Sequence, residues 1–352
     1  MQSKELIPEH ILNNRVVDPA VSENNEETIV EVNLRPKQLA EFIGQKHIKI
    51  PLSISMQAAR KREEPMEHIL LYGNPGLGKT TLAHIIAREM EVSIRVTSGP
   101  ALERVGDLAA ILSNLNQGDI LFIDEIHRMN KTIEEVLYSA MEDFALDIII
   151  GKGPTARTLR MPLQKFTLIG ATTKLNLLSS PLRDRFGHVY HLNYYEDPEI
   201  EQIIERNADI LSVKINSEAS KNIALRARRT PRVANRLLKR VRDYAEIRHA
   251  DSSINLNITS EALNMLNIDE YGLDEIDRKI LKIIIEQFDG GPVGLNTLAA
   301  ATAEEMETIE SVYEPYLLQI GLLERSARGR MATKRAYEHL NKTRNAKQKN
   351  LL

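Results

Sequence analysis

The stretch GNPGLGKTT, Gly73–Thr81, decides the fold of this sequence. It fits the pattern G-x-x-x-x-G-K-[ST], a loop whose backbone N–H groups surround the phosphates of a nucleotide. Gly76 and Gly78 let the backbone turn tightly and approach the phosphates without a Cβ in the way. Lys79 directs a positive charge at the phosphates, and the Thr80 hydroxyl is placed to ligate Mg²⁺.

The segments on both sides of the loop support this interpretation. His68–Tyr72 is a short apolar run typical of a buried parallel strand. After the loop, Thr81–Met90 places its apolar residues on one helical face. Strand, loop and helix in this order aim a helix N-terminus at an anion. A glycine-rich turn that happens to contain lysine is the weaker alternative, so the chain is predicted to bind a nucleoside triphosphate.

The composition predicts a globular protein of two or three domains, since 42% of the 352 residues are hydrophobic and 27% are charged. The absence of cysteine excludes disulfides and cysteine-based metal sites. No apolar run is long enough to span a membrane, and the first residues lack the apolar core of a signal peptide. We therefore expect a cytoplasmic protein with no membrane partner.

The net charge of −3 hides an uneven distribution. Residues 221–250 carry ten Lys and Arg against two acidic residues, and residues 321–352 carry nine against two. A basic C-terminal end on an otherwise acidic chain indicates an anionic partner, with a solvated basic tail as the alternative.

Four apolar runs separated by helical patterns predict an α/β domain with a parallel sheet. The buried strands are expected at Ile69–Tyr72, Ile94–Val96, Ile120–Ile123 and Phe166–Ala171. The expected organisation is a disordered extension over residues 1–28, the α/β domain over 29–195, an all-α domain over 196–267, a third domain over 268–340 and a basic tail over 341–352.

The third domain has the element order of a winged helix, in which a helix and a hairpin can engage DNA. Its helices are expected at Asp277–Phe288, Leu295–Thr302 and Glu304–Ile320, and its strands at Leu322–Arg325 and Arg330–Thr333. The hairpin carries Arg325, Arg328 and Arg330, which suit phosphates or a groove. It has no interleaved aromatic residues, which argues against stacking on single strands.

Asp124 and Glu125 follow the third predicted strand, at the edge where the phosphate loop also lies. The Asp124 carboxylate can hold Mg²⁺, and Glu125 can orient or deprotonate the attacking water. Thr172 and Thr173 end the next strand and can hydrogen-bond the γ-phosphate or that water. An Asp-Glu pair in a solvated turn is the alternative.

Hydrolysis also needs a positively charged group next to the γ-phosphate oxygens, where negative charge develops, and a neighbouring subunit can supply that group. Arg183 and Arg185 are the candidates, with a surface cluster of ion pairs as the alternative interpretation. Arg232, at a predicted helix start, can reach the nucleotide from the all-α domain.

Three consecutive isoleucines, Ile148, Ile149 and Ile150, precede a turn and the strand-like segment Arg157–Met161. This order predicts a hairpin inserted before the fourth strand. Such a run is more often core, but the pattern alone leaves open whether the three residues form an exposed apolar patch for a partner protein.

Together these segments resemble the RuvB family of AAA+ motors, which drive Holliday-junction branch migration. The resemblance runs from Leu34 to Thr333. The matching segments are LRP at 34–36, the phosphate loop, SGPALER at 98–104, GDLAAIL at 106–112, FIDEIHR at 122–128, MEDF at 141–144, IGATT at 169–173, SPLRDRFG at 180–187, TPRVANRLL at 230–238 and RGRMAT at 328–333.

The resemblance implies an α/β AAA+ P-loop domain, an all-α lid and a winged-helix head, assembled as a hexamer around duplex DNA and loaded onto four-way junctions by RuvA. It also brings in the RuvC resolvase as a candidate partner. It makes Arg185 the finger offered to the next subunit and Arg232 the lid sensor. The hairpin of Ile148, Ile149 and Ile150 becomes the RuvA-docking element. The residues it assigns to ATP are Leu34, Arg35, Gly76, Gly78, Lys79, Thr80, Thr81, Glu142, Asp143, Phe144, Tyr195 and Arg232, with Arg325 and Arg330 assigned to DNA.

The sequence departs from the family pattern at Asn74, where proline is usual, and at Lys174, where arginine is common. Two other functions stay open: a clamp-loader-like switch that acts on DNA, and an AAA+ protein unfoldase. The arginine-bearing hairpin favours DNA over unfolding, and the sequence lacks an aromatic-hydrophobic-Gly pore loop between the two nucleotide motifs.

Overall fold

The computed structural model describes residues 33–150, 157–249 and 253–343. The chain divides into two compact units, with the boundary along the sequence between Glu199 and Ile200. The extension predicted over residues 1–28, the turn over residues 151–154 and most of the basic tail lie outside the described residues. Within the described ranges, no helix is long and apolar enough to cross a membrane.

The first unit is an α/β domain with a five-stranded parallel sheet of order β2-β3-β6-β1-β7 and a separate β4-β5 hairpin. Its strands are β1 (Ile69–Tyr72), β2 (Ile94–Ser98), β3 (Ile120–Asp124), β4 (Ala145–Ile150), β5 (Arg157–Pro162), β6 (Thr167–Thr172) and β7 (His188–His191). Its helices are α1 (Lys46–Arg62), α2 (Lys79–Glu89), α3 (Val105–Ser113), α4 (Lys131–Asp143) and α5 (Ser180–Arg183), and α6 (Asp197–Ile210) leads out of it.

The three central strands β1, β3 and β6 have almost wholly buried side chains, as their continuous apolar runs predict. They are in parallel register, with Tyr72 beside Thr172 and Ile123 beside Gly170. Because parallel strands end at the same edge, the segments that follow β1, β3 and β6 meet there. This edge carries the polar side chains of the predicted site.

Two expectations about the sheet were wrong. The strand expected as buried at Ile94–Val96 extends to Ser98 and lies at the edge of the sheet, where Val96 is 54% exposed. The prediction of four strands also missed β7, because its four residues alternate between half-buried and exposed. Both strands are edge strands, and an edge position removes the burial that makes a strand visible as an apolar run.

The second unit contains an all-α region followed by a winged helix. Its helices and strands are α7 (Ser217–Arg226), α8 (Pro231–Arg248), α9 (Leu256–Met265), α10 (Glu275–Gln287), α11 (Leu295–Thr302), α12 (Met306–Thr308), a π-helix (Ile309–Tyr313), α13 (Glu314–Gln319), β8 (Leu323–Ser326), β9 (Gly329–Ala332) and α14 (Lys334–His339). The predicted order of three helices and a hairpin is therefore confirmed, with the third helix running through α12, the π-helix and α13.

The winged helix differs from the prediction in detail. Each strand of the hairpin is displaced by one residue from its expected bounds, and α14 follows the wing. The Asp274 side chain caps α10 by accepting hydrogen bonds from the N–H groups of Ile276 and Asp277. Val293 and Arg330 exchange backbone hydrogen bonds of 2.9 and 2.8 Å, which ties β9 to the segment before α11.

Arg228 joins the all-α region to the winged helix inside the second unit. Its side chain is 3% exposed. It donates a 2.9 Å hydrogen bond from Nε to the Gly272 carbonyl and pairs with the buried Asp277 carboxylate at the start of α10. Its guanidinium also lies 5.2 Å from the centre of the Tyr316 ring. Since a buried charge is tolerated only when it is paired, these contacts fix the all-α region against the winged helix.

Candidate nucleotide site and winged-helix hairpin

The phosphate loop leaves β1 in a conformation that only glycine adopts easily. Gly73 has φ +144°, and a Cβ there would lie 2.5 Å from the Leu192 carbonyl oxygen. Gly78 has φ +100° and is the N-cap of α2. The loop therefore presents the N-terminus of α2, whose first N–H groups have no carbonyl partner within the helix, and this is the arrangement that binds phosphate.

Lys79 is held inside this loop. Its Nζ donates hydrogen bonds of 2.7 Å to the Gly73 carbonyl and 3.0 Å to the Asn74 carbonyl, and the residue is 7% exposed. Two carbonyl dipoles thus stabilise the ammonium group next to the loop. Thr80 and Thr81, in the first turn of α2, are half-buried.

Glu125 and Thr173 meet at the carboxyl edge of the sheet. Glu125 directly follows β3 and adopts φ +45°, a left-handed conformation. Thr173 follows β6, and its hydroxyl donates a 3.0 Å hydrogen bond to Glu125 Oε2. The Gly73 N–H, at the start of the phosphate loop, donates to the Thr172 carbonyl at 3.2 Å. The structure therefore brings the loop, Glu125 and Thr173 together, as the sequence predicts.

The Glu125 carboxyl has an environment that favours its charged form. Burial alone would raise its pKa, but the hydrogen bond from His127, the positive charge of Lys79 and the hydrogen bond from Thr173 together outweigh burial and lower the pKa below its ordinary value. The side chain is therefore a carboxylate at neutral pH and is able to accept a proton.

Asp124 and Thr80 provide the oxygen donors expected of a magnesium site. Asp124 is the last residue of β3, and Thr80 lies in the first turn of α2. Carboxylate and hydroxyl oxygens suit Mg²⁺, which takes one or two protein ligands and completes its shell with phosphates and water. Accordingly, the described ranges contain no group of three or more His, Asp or Glu that could hold a metal on its own.

Tyr195 packs behind the phosphate loop. It is 1% exposed, and its hydroxyl donates a 3.2 Å hydrogen bond to the Leu77 carbonyl, while burial raises its pKa. Two residues before Tyr195, the backbone of Asn193 forms two hydrogen bonds with the Gln45 side chain. Gln45 Nε2 donates to the Asn193 carbonyl at 2.6 Å, and the Asn193 N–H donates to Gln45 Oε1 at 3.0 Å. A Cβ on Gly44 would lie 2.7 Å from the Tyr195 ring. The segment Asn193–Tyr195 is thus fixed to the loop.

Leu34 and Arg35 belong to the same unit as the phosphate loop. Leu34 is 2% exposed, and Arg35 is half-buried. Burial together with the positive charge of Arg35 lowers the pKa of His84 on α2, so Arg35 lies near that helix. Arg232 lies in the first turn of α8, in the second unit.

Arg185 follows α5 and is held by its own surroundings. It forms a 2.7 Å ion pair with Glu142 through Nη2 and donates a 2.8 Å bond from Nη1 to the Pro181 carbonyl. Its guanidinium carbon lies 5.1 Å from the centre of the Tyr138 ring. The buried Nε has no hydrogen-bond partner in the described part of the chain. Arg183 is half-buried on the same segment.

The end of α4 carries the three residues of the MEDF segment that the family resemblance assigns to ATP. Glu142 pairs with Arg185, and Asp143 forms a 2.7 Å ion pair with Arg160 of β5. Phe144, with φ +49°, ends the helix and packs against Phe166 with 5.8 Å between ring centres. These residues therefore connect α4 to the hairpin and to the Arg185 segment.

The three arginines of the wing have different environments. Arg328 is exposed at the tip between β8 and β9. Arg325 is 52% exposed and forms a 3.0 Å ion pair with Glu310. Arg330 is only 7% exposed and is bound by the Glu314 carboxylate. Arg330 is therefore buried, whereas Arg325 and Arg328 are exposed on the hairpin, and the assignment of all three arginines to DNA stays a prediction.

The hairpin predicted from the three isoleucines is present. They end β4 and pair in antiparallel register with β5, Ile148 opposite Leu159, Ile149 opposite Thr158 and Ile150 opposite Arg157. The side chains of Ile148, Ile149 and Ile150 lie outside the described atoms, so their role as an apolar patch for a partner stays a prediction. Leu159, on the facing strand, is 52% exposed.

Two residues of the site, His127 and Gln45, were not predicted from the sequence. His127, within the DEIHR segment, has its Nδ1 3.1 Å from Glu125 Oε2. Gln45 clamps Asn193, which lies 148 residues further along the chain. A histidine two residues after a glutamate carries no general signal, and the Gln45 contact depends on long-range folding.

Three family models match the chain, and together they span most of it. They are the Holliday junction DNA helicase RuvB P-loop domain over residues 34–192, the RuvB AAA lid domain over residues 195–269 and the RuvB C-terminal winged helix domain over residues 270–341.

Similar proteins of known identity cover almost the whole chain. The Holliday junction branch migration complex subunits RuvB of Chloroflexus aurantiacus and Chloroflexus aggregans are each 58% identical to it over 326 residues, which is 93% of this chain and 92% of theirs. Among solved structures, the Thermotoga maritima RuvB Holliday junction branch migration motor is 53% identical and covers 88% of this chain and 99% of its own, with a TM-score of 0.80.

Proposed function

The chain belongs to the RuvB family, and from this premise we propose that it is the ATP-driven motor that moves Holliday junctions along duplex DNA together with RuvA. The observation that carries the proposal is the meeting of the phosphate loop, Asp124, Glu125 and Thr173 at one edge of the sheet. These are the groups that hydrolysis of a nucleoside triphosphate needs: a phosphate cradle, a metal ligand, a base and a polar group beside the base.

The chemistry follows from the positions of these side chains. The N–H groups at the start of α2 and the Lys79 ammonium bind the phosphates, and Lys79 then exchanges its two carbonyl partners for phosphate oxygens. Thr80 and Asp124 would hold Mg²⁺, which when bound neutralises charge on the phosphates. Glu125 accepts the proton of the attacking water, since its lowered pKa keeps it ionised at neutral pH.

Arg185 fits the role of a finger that completes the site of a neighbouring subunit. Its contacts with Glu142, Pro181 and Tyr138 are all made by α4 and its own segment. These contacts hold the long side chain in one place before a subunit docks, which lowers the entropy cost of using it. A ring of identical subunits, with each site completed by the next subunit, is the assembly that we propose, in hexameric form.

The wing is the proposed DNA contact. In a winged-helix protein the third helix can serve as the recognition helix. Here this helix and its N-cap instead present exposed carboxylates at Glu305, Glu307 and Glu310. Phosphates repel these groups. The exposed Arg325 and Arg328 of the hairpin attract phosphates without reading bases. Binding that ignores sequence suits a motor that must pass over any DNA.

The β4-β5 hairpin, which carries Ile148, Ile149 and Ile150, is the proposed docking element for RuvA. It stands apart from the five-stranded sheet and exposes Leu159, and these two observations support the proposal. RuvC is a further candidate partner. We propose that the assembly acts in the cytoplasm, in recombination and DNA repair.

The test is ATP-dependent dissociation of a synthetic four-way junction at a stated salt concentration, with and without RuvA. We expect dissociation that requires ATP, RuvA and Lys79, with the Lys79→Ala variant as control. ATP hydrolysis without junction movement would instead support a clamp-loader-like switch that acts on DNA.

A further inference from the structure

The Glu125 carboxylate is held asymmetrically. Both the Thr173 hydroxyl, at 3.0 Å, and His127 Nδ1, at 3.1 Å, contact the same oxygen, Oε2. Among the described residues no hydrogen bond reaches Oε1. One carboxylate oxygen is therefore used for positioning, and the other remains available to accept a proton.

His127 is itself well fixed. Its side chain is 7% exposed and lies in the short 3₁₀ turn Ile126–Arg128 directly after Glu125. Its Nδ1 also lies 3.0 Å from the Thr172 hydroxyl oxygen, which accepts a 3.0 Å hydrogen bond from the Lys174 N–H. The ring is thus tied to the end of β6, a different element from the one that carries Glu125.

The partners of Nδ1 determine the tautomer. An ionised carboxylate only accepts hydrogen bonds, so the ring nitrogen that faces Glu125 must carry a proton. In this tautomer the Nδ1–H lies 3.1 Å from Glu125 Oε2 and 3.0 Å from the Thr172 hydroxyl oxygen, so the proton lies between two acceptor oxygens. The Nε2–H tautomer of neutral histidine would place a lone pair against the carboxylate and repel it.

We propose that His127 is a positioning residue for Glu125: together with Thr173 it holds Oε2, so that Oε1 faces the attacking water. A single hydrogen bond from Thr173 would let the carboxylate rotate about its terminal bond. Two donors from separate segments of the chain, both on one oxygen, fix the plane of the carboxylate. The proposal rests on the ATP hydrolysis proposed above, and it names the residue that orients the base.

Three substitutions of His127 test the role. Asparagine places an amide N–H close to the position of Nδ1, glutamine places one close to Nε2, and leucine fills the space without a donor. A misplaced base costs about 10²-fold in turnover. We therefore expect His127→Leu and His127→Gln to lower kcat by about this factor, with the affinity for ATP unchanged, and His127→Asn to recover most of it.

A merely structural histidine would behave differently. Its loss would lower the thermal unfolding midpoint and nucleotide affinity together, and asparagine would be no better than glutamine. Either that result or wild-type kcat in His127→Leu would overturn the proposal. If His127→Leu fails to fold, the comparison of asparagine with glutamine still decides the question.

A second readout does not depend on turnover. In the full-length protein without nucleotide, ¹⁵N chemical shifts of labelled histidine distinguish the two neutral tautomers, and His127→Asn identifies the signal. We expect the tautomer with its proton on Nδ1. The tautomer with its proton on Nε2 and an unprotonated Nδ1 would refute the arrangement. A wild-type protein that shows this tautomer but does not hydrolyse ATP would contradict the proposed function and leave the geometry intact.

Discussion

Arg330 in β9 and Glu314 at the start of α13 form a buried ion pair. Arg330 Nη2 donates to Glu314 Oε2 at 2.8 Å, and its Nε lies 3.2 Å from both carboxylate oxygens. The two side chains are 8% and 2% exposed. The pair therefore attaches the hairpin to the third helix of the winged helix. Arg325 Nε also lies 3.4 Å from Glu314 Oε1, but Arg325 is half exposed, so Arg330 is the buried partner of this carboxylate.

Arg330→Ala should destabilise the protein strongly. Removing Arg330 takes away the buried partner of Glu314 and leaves only the half-exposed Arg325, 3.4 Å away, as a counterion, so the cost should approach the value of about 3–5 kcal/mol for breaking a buried pair. The measurement is urea unfolding of the full chain, with Arg328→Ala, an exposed arginine of the same hairpin, as the control that leaves stability nearly unchanged. Unaltered stability of Arg330→Ala with lost DNA binding would instead make Arg330 a direct DNA contact.

Glu310→Gln should strengthen binding to duplex DNA. The substitution removes the exposed 3.0 Å ion pair of Arg325 Nη2 with Glu310 and leaves Arg325 Nε 3.4 Å from Glu314 Oε1. Such pairs contribute about 0.2–1 kcal/mol, so the affinity should rise by at most about fivefold at low salt. Glu305→Gln, at the N-cap of α12 in front of the same helix, measures the general effect of losing one negative charge. Equal gains in both variants would show that the pair does not restrain Arg325.

Arg185→Ala should bind ATP and lose hydrolysis. A finger of this kind contributes about 10³–10⁵ in turnover in other phosphoryl-transfer enzymes. If the finger acts on a neighbouring site, mixing Arg185→Ala with Glu125→Gln subunits should restore part of the activity, since some interfaces then combine an intact base with an intact finger. Absence of recovery in mixed rings would contradict action between subunits.

Lys79→Ala and Asp124→Asn should each abolish ATP turnover. The first removes the charge next to the phosphate loop, and the second removes the carboxylate that would hold Mg²⁺. Steady-state hydrolysis is the measurement, and Lys131→Ala, which removes an exposed lysine of α4, is the matched control. Normal turnover in either of the first two variants would refute the assignment of the site.

The stability of the first unit should fall as the solution becomes acidic because of His68. Burial lowers the pKa of His68 from 6.5, against smaller opposing effects of the Met141 carbonyl and Glu67. Its Nδ1 accepts a 2.9 Å bond from the Leu168 N–H, and Nε2 lies 3.1 Å from the Met141 carbonyl, so the neutral ring is required. A folded-state pKa below the unfolded value means that stability is fully present above pH 6.5 and is lost as the pH falls through the folded-state pKa.

The measurement for His68 is the free energy of unfolding, from urea unfolding, as a function of pH. One proton changes this free energy by at most about 1.4 kcal/mol per pH unit. His68→Gln should be less stable near neutral pH and should respond less to acid. His188→Gln, which alters a more exposed histidine of β7, is the control. An unchanged pH response in His68→Gln would exclude His68 as the cause.

The sequence alone determined the order of elements and the chemistry at the sheet edge. A phosphate loop requires a strand before it and a helix after it, and these constraints act over few residues. Asp124 and Thr172 were predicted at strand ends and lie there, because buried apolar strands end where polar residues begin. The winged helix was predicted from helix and turn signals of the same local kind.

Only the tertiary structure decided which of these side chains touch and which are buried. Arg325 and Arg330 are similar in sequence terms, yet one is half exposed and the other is enclosed by Glu314, which lies 16 residues away along the chain. The edge strands β2 and β7 were misjudged or missed, since burial depends on a strand's place in the sheet. The contact between His127 and Glu125 depends on the left-handed turn at Glu125, together with the end of a strand 45 residues away that holds the ring. Contacts between distant segments follow from packing, which no local pattern in the sequence encodes.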